Sequence, residues 1–162
     1  MAARDLPAAD LLPLVSALNA DYARAIDDDR LEAWPGFFAE PCVYKITSAD
    51  NHRRGFEAGV VYADSQGMLS DRVAALRRAN VYERQAYRHL VGLPAILGEV
   101  DGAVRAETPF LVVRIMRDGT MDLFATGRYL DLLVDHGGAL RFRERIVVCD
   151  SSRFDTLLAI PL

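Results

Sequence analysis

At 162 residues, 51% of them apolar, the chain is long enough for one domain whose core burial can offset the entropy of ordering it. A net charge of −4 and an isoelectric point near 5.3 weigh against general nucleic-acid or acidic-membrane binding. No apolar run approaches the ~20 residues that span a bilayer, and Met1–Asp10 lacks the basic-then-apolar order of a secretory signal, so a cytoplasmic protein is expected.

Leu11, Val15, Leu18, Tyr22 and Ile26 recur at three and four residues, which predicts an amphipathic helix interrupted by Asp27, Asp28 and Asp29. A short segment, Arg30 to Trp34, stops at Pro35 and Gly36, and Phe37 and Phe38 anchor it. Val43, Tyr44 and Ile46 predict a strand over Cys42 to Thr47. The polar stretch Asp50 to Gly59 reads as a loop. Asp64 and Ser65 are candidate N-caps for a helix from about Gln66 to Asn80, with Leu69, Val73 and Leu76 as its buried stripe.

The second half is a meander. Asp101-Gly102 and Asp118-Gly119 have the composition of type I′ hairpin turns, in which glycine supplies the positive φ. His136-Gly137-Gly138 marks a third turn. Strands are expected over Val104 to Arg117, Met121 to Val134 and Leu140 to Asp150. In the first of these, Phe110, Val112 and Met116 alternate with Leu111, Val113 and Ile115, so both faces should be covered. In the last, Leu140, Phe142, Ile146 and Val148 alternate with Arg141, Arg143 and Arg145, giving one buried face and one wet or docking face. Helices followed by a long antiparallel sheet make an α+β domain, with a twisted sheet wrapped as a cone around N-terminal helices.

Few residues offer chemistry. A Rieske cluster needs two Cys and two His in local pairs, but Cys42 and Cys149 are isolated and neither has a histidine neighbour. Non-haem iron needs two histidines and a carboxylate, and His52, His89 and His136 are scattered. No metal is expected in this chain. There is no Gly-x-Ser-x-Gly elbow and no glycine-rich phosphate loop. What remains is acid–base work by His89 and Asp131, if these two predicted strand residues meet across the sheet, with Tyr22, Trp34, Tyr44 and Tyr129 lining a pocket. The plainer alternative makes His89 a structural hydrogen-bonding group and the aromatics core filling. Arg141, Arg143 and Arg145 divide the same way, between a solvated face and an interface, where arginine is enriched. Lys45 is the only lysine, and guanidinium forks suit interfaces. The apolar tail Thr156 to Leu162 reads as further interaction surface.

Four stretches add a resemblance. Tyr62-Ala-Asp-Ser-Gln-Gly-Met-Leu-Ser-Asp-Arg72-Val73, Tyr87-Arg-His-Leu-Val91, Phe124-Ala-Thr-Gly-Arg-Tyr-Leu-Asp131 and Arg143-Glu-Arg-Ile-Val-Val-Cys-Asp150 resemble motifs of the β subunits of aromatic-ring-hydroxylating dioxygenases. They stand in the family's order and spacing, across nearly the whole chain. The lead Glu83-Arg-Gln-Ala-Tyr87 and the sequel Gly92-Leu-Pro94 depart from the hydrocarbon-oxidising members and favour the aromatic-carboxylate branch.

The resemblance implies a single cone-shaped NTF2-like (SnoaL-like) domain, similar to nuclear transport factor 2 and ketosteroid isomerase. It implies a non-catalytic subunit in NAD(P)H- and O2-dependent cis-dihydroxylation of an aromatic acid. The Rieske [2Fe-2S] cluster and mononuclear Fe(II) would lie in an α subunit, within an α3β3 hexamer served by a reductase, with β self-associating as a trimer. Partner contacts are then expected at Tyr82, Arg84, Tyr87, Arg88, Arg141, Arg143 and Arg145. Two alternatives stay open: a stand-alone isomerase or dehydratase using His89 and Asp131, and a ligand-binding cone.

Overall fold

The computed structural model describes residues 2–79, 85–153 and 160–162. Helix α1 (Ala8–Asp27) buries Leu11, Val15, Leu18, Tyr22 and Ile26, the expected stripe, together with Asn19. It stops where Asp29 takes a left-handed conformation, φ +59°, which a short polar side chain tolerates; Arg30 N–H then donates to Ala25 O at 2.8 Å. A 3-10 segment, Leu31–Phe37, buries Leu31 and Trp34 and delivers the chain to strand β1 (Phe38–Ser48).

The expected loop after β1 begins as a short helix, α2 (Ala49–Arg53), because Ser48 accepts the Asn51 N–H as an N-cap. Strand β2 (Val61–Ala63) pairs antiparallel with β1. Of the two candidate caps before α3 (Gln66–Arg78), Ser65 does the capping, accepting from Met68 N–H. Leu69, Val73 and Leu76 are its buried face, as their spacing predicted.

Strands β3 (Gln85–Val91), β4 (Ala95–Val100), β5 (Ala103–Met116), β6 (Met121–His136) and β7 (Ala139–Cys149) complete a sheet ordered β2-β1-β7-β6-β5-β3, with β4 also on β5. The sheet is mixed, not wholly antiparallel: β1 runs parallel to β7, Tyr44 opposite Arg145 and Ser48 opposite Cys149. A parallel pair needs a long crossover, and the whole meander between the two strands supplies it.

The hairpins differ from one another. Asp101 and Gly102 both have positive φ, +49° and +75°, as a type I′ turn requires. At Asp118-Gly119 only the glycine does, φ +89°. There Gly119 N–H donates to Met116 O and the Asp118 carboxylate accepts Thr120 N–H, so a three-residue loop with a glycine bulge replaces the expected type I′ turn. The aspartate's bond to the backbone two residues on favours that form.

A β-bulge decides the chemistry of β7. Glu144 faces Leu132, yet Phe142 faces Leu133, so Arg143 is one residue too many and the two-residue alternation restarts. Phe142, Arg145, Val147 and Cys149 therefore share the inside, each at most 1% exposed. Arg145 does not belong to the Arg141 and Arg143 stripe.

The inside is an aromatic cluster packed against α1. Trp34 and Tyr44 meet edge-on at 5.0 Å, Tyr22 and Phe142 at 5.6 Å, and Phe110 stacks on Tyr129 at 4.5 Å; such pairs contribute ~0.5–1.5 kcal/mol each beyond area burial. Ile160 and Leu162 join this core, which corrects the expectation of an outward-facing tail for those residues; residues 156–159 lie outside the described ones. The outward face of β5, expected to be covered, is covered only in part within this chain. Leu111, Val113 and Ile115 are half-buried there, beside exposed Leu90, Leu123 and Met121.

Candidate functional site

His89 and Asp131 do not meet. Val112 opposes both His89 on β3 and Ala125 on β6, whereas Asp131 opposes Ala106. Six residues separate the two levels, roughly 20 Å along a strand. Each has a different partner. His89 Nδ1 lies 2.6 Å from Asp27 Oδ1, and its backbone N–H donates to Asp27 Oδ2 at 2.8 Å, which together orient the ring. Nε2 is buried without a hydrogen-bond partner among the described residues. Asp27, at the end of α1, thus docks that helix on β3. An acidic run at a helix end carries no sequence signal for such a role.

Asp131 belongs to Arg145. Two parallel bonds of 2.8 Å join Asp131 to Arg145 Nε and Nη2, and both side chains are fully buried. Arg145 Nη2 also donates to Asn19 Oδ1 at 2.5 Å, and Asn19 Nδ2 donates to Thr108 at 3.3 Å. The guanidinium lies over the rings of Tyr129 at 3.8 Å, Phe142 at 3.9 Å and Tyr22 at 4.4 Å. Burial raises the Asp131 carboxyl above its ordinary value, and the Arg145 guanidinium offsets only part of that rise; the two-pronged geometry is that of a charge-assisted pair. Asn19 was the legible clue to this network, a polar residue inside an apolar helical stripe.

Burial raises the hydroxyls of Tyr22, Tyr44 and Tyr129 above their ordinary value, so they stay protonated; the Tyr129 hydroxyl has no hydrogen-bond partner among the described residues. It also pushes the Cys42 thiol up to about 11 and the Cys149 thiol up to about 12, which suits neither a metal ligand nor a nucleophile. Among the described residues no three His, Cys, Asp or Glu side chains group to hold a metal. The described residues therefore do not fit a Rieske cluster or a mononuclear iron. A cleft of about 600 Å³ opens beside Asp27, Asp29, Arg77 and Tyr87, but Arg77 already spends its fork on Asp29 and Glu32.

The expected partner contacts separate by position. Tyr87 is buried against Phe124, ring centroids 5.2 Å apart, and Arg145 lies inside the cone. Neither offers a surface, because inward alternation on β3 and the β7 bulge turn them to the core. Tyr82 and Arg84 lie outside the described residues. Arg141 and Arg143 are half-buried at the β7 end, with Arg143 Nη1 donating to Asp101 O at 2.9 Å. Arg88 faces outward and is exposed. Its row runs Arg88, Val113, Leu123, flanked by the rows Leu90, Leu111, Thr126 and Ala86, Ile115, Met121. Leu90 is 56% exposed, Leu123 63% and Met121 69%, a contiguous apolar patch with one arginine within it. This patch was half legible: the alternation of β5 was plain, but not that its outer side would be left open.

Comparisons place the chain among known proteins. Residues 21–156 match the family model described as ring hydroxylating beta subunit. Over 148 residues the chain is 51% identical to the terephthalate 1,2-dioxygenase terminal oxygenase component subunit beta 1 of Comamonas sp., covering 91% of this chain and 96% of that protein. The crystal structure of the β subunit of a protein described as an aromatic-ring-hydroxylating dioxygenase, from Novosphingobium aromaticivorans, matches with a TM-score of 0.87 at 38% identity, over 96% of this chain and 99% of that one. A protein of the same organism described as a scytalone dehydratase shares the fold alone, with a TM-score of 0.67 at 14% identity, over 92% of this chain and 91% of that one.

Proposed function

Because the chain belongs to the ring-hydroxylating dioxygenase β-subunit family, we propose that it is the structural subunit of an oxygenase acting on an aromatic carboxylate, terephthalate first. The 51% identity to a terephthalate dioxygenase β subunit supports the substrate. The observation that carries the scaffold role is the open apolar face of β3, β5 and β6. An isolated domain gains nothing from leaving Leu90, Leu123 and Met121 in water, and contiguous apolar patches of this kind mark subunit contacts.

In this proposal the chain trimerises and presents a preformed surface to three α subunits, in an α3β3 assembly. Those α subunits hold the Rieske [2Fe-2S] cluster and Fe(II), and a cytoplasmic reductase feeds them electrons from NADH or NADPH. With O2 the assembly converts the arene to its cis-dihydrodiol. Arg88, on the edge strand β3 at the margin of the open face, and Arg141 and Arg143 are the described arginines offered to a partner, alongside Tyr82 and Arg84. Tyr87 and Arg145 act from inside, by holding the sheet in shape. The stand-alone isomerase is not favoured, since the register keeps His89 and Asp131 apart.

Coexpression with a Rieske α subunit of the terephthalate type tests the assignment. The two chains should copurify as one assembly whose iron scales with α, while this chain alone is colourless. One iron per chain in the isolated protein, or no α association by sedimentation, would overturn it.

A further inference from the structure

The polar groups of the aromatic cluster converge on one residue of the same chain. Tyr22, from α1, donates its hydroxyl to the main-chain oxygen of Leu162 at 2.7 Å. Tyr44, from β1, donates to that oxygen at 2.9 Å and accepts the Leu162 N–H at 3.1 Å. Trp34, from the 3-10 segment, donates its indole N–H to the Tyr22 hydroxyl at 3.2 Å. Trp34, Tyr22, Tyr44 and the Leu162 side chain are all 0% exposed.

Three elements thus aim polar groups into a dry apolar chamber. If the chamber were only core, phenylalanine in place of both tyrosines would fill it without burying a hydroxyl, and a buried polar group is costly unless bonded. Without Leu162, Tyr44 loses the oxygen and the N–H it bonds there and Tyr22 loses that acceptor, which leaves the two hydroxyls only each other as acceptor in the chamber. Convergent donors on one oxygen, set among aromatic walls, are the make-up of a ligand pocket.

We propose that the inside of the cone is a binding site for a branched aliphatic group that ends in a carbonyl-type oxygen, and that residues 160–162 of this chain are its resident ligand. Leu162 supplies the aliphatic body and the oxygen. Ile160 lies beside it, in the same core and at the lip of the cleft near Tyr87. Tethering keeps the occupant at an effective concentration of the order of millimolar, so the site is filled without exceptional affinity.

The test uses Trp34, the only tryptophan. In the full chain its fluorescence should resist quenching by acrylamide. In a variant that stops after residue 159 it should become quenchable, and the free peptide Ile-Pro-Leu at roughly millimolar concentration should restore protection, whereas Ile-Pro-Asp should not. Adding Tyr44→Phe to the shortened chain should weaken peptide binding about tenfold, the loss of a buried hydrogen bond.

Unchanged quenching on shortening would overturn the proposal. So would exposure that the peptide does not reverse, or binding indifferent to Tyr44→Phe. If the shortened chain does not fold, Leu162→Gly keeps the main-chain bonds and vacates the side-chain space. Its Tm should then rise with added 2-methylpropan-1-ol while that of the parent does not, and the absence of a rise would equally sink the idea.

Discussion

Arg145 and Asp131 show why a buried ion pair is to be judged by what its loss leaves behind. The two groups are joined by paired 2.8 Å bonds inside a ring of aromatics, while Arg145 Nη1 has no hydrogen-bond partner among the described residues. Removing one partner strands the other in a low-dielectric interior. Asp131→Ala should therefore destabilise the chain by ~3–5 kcal/mol, read as a lowered urea midpoint. The double variant Asp131→Leu with Arg145→Met removes both charges and should recover most of the loss, since well-packed apolar replacements of buried pairs are often neutral or better. A double variant as unstable as the single one would show that the arginine's contacts with Asn19 and the rings, not the pair, carry the stability. The pairing was not legible in the sequence. Both residues stood out there, Asp131 as a candidate base and Arg145 as a surface cation, and each drew its significance from a neighbour fourteen residues away.

At the scale of elements, faces matter more than residues. The outward rows on β3, β5 and β6 combine Arg88 with Val113 and Leu123, and Leu90 with Leu111. Leu123→Asp puts a charge on the β6 side of that face. Within the isolated chain the position is exposed, so stability should change by no more than ~0.5 kcal/mol. Assembly should suffer far more, appearing as a shift to smaller species by sedimentation velocity; unaltered sedimentation with and without α would remove this face from the interface.

A second element-level device is the fork of Arg77 at the end of α3. Its Nε and Nη2 donate to Glu32 at 2.8 and 3.0 Å, and its Nη1 donates to Asp29 at 2.9 Å, fastening α3 to the turn after α1. The Arg77 hydrogen bonds hold the Glu32 carboxyl down at about 2. A carboxyl depressed in the folded state contributes stability above its unfolded value and loses it as pH falls through the folded one. The window therefore runs from about 4.5 down to about 2. Both groups meet solvent, so salt should screen the effect. An NMR titration should place the Glu32 midpoint near 2 and return it to the ordinary range in Arg77→Ala; a midpoint unmoved by that change would mean the fork is open in solution.

For the whole molecule, a division of labour in which this chain is the scaffold makes substrate choice a property of the α subunit. Holding an aromatic acid calls for a dry arginine fork with the ring a few ångströms from the metal. Here Arg145, Arg77 and Arg114 are engaged with carboxylates within the chain, and where Arg105 and Arg128 line a cleft they stand beside Glu107 and Glu144, which disfavours a bound carboxylate. Exchanging β subunits between this system and a related aromatic-acid dioxygenase should leave the substrate range of each hybrid with its α. A range that travels with β would reverse the assignment, and Tyr82 to Arg88 would be the first segment in which to look for the contact.

Local signals were sufficient for much of this. The 3.6-residue spacing of α1 and α3, the Ser65 cap, the glycine turns and the β-branched runs each act over a few residues, so α1, α3, β1, the long strands β5 to β7 and the α+β class were legible in the chain itself, whereas α2, β2 and β4 were not, and four motifs in register carried the family. Only tertiary structure decided the rest. One extra residue at Arg143 turned Arg145 from the surface to the centre, because a sheet alternates with a period of two and an inserted residue inverts the facing of every later side chain in the strand. The partner of His89 is Asp27, and the partner of Tyr44 is Leu162, 118 residues away. No local pattern encodes such pairs, since they exist only once the curved sheet has closed around α1. Which apolar face remains open was undecided for the same reason: alternation says that a side chain points out, and only the packing of the other elements says whether anything is there to cover it.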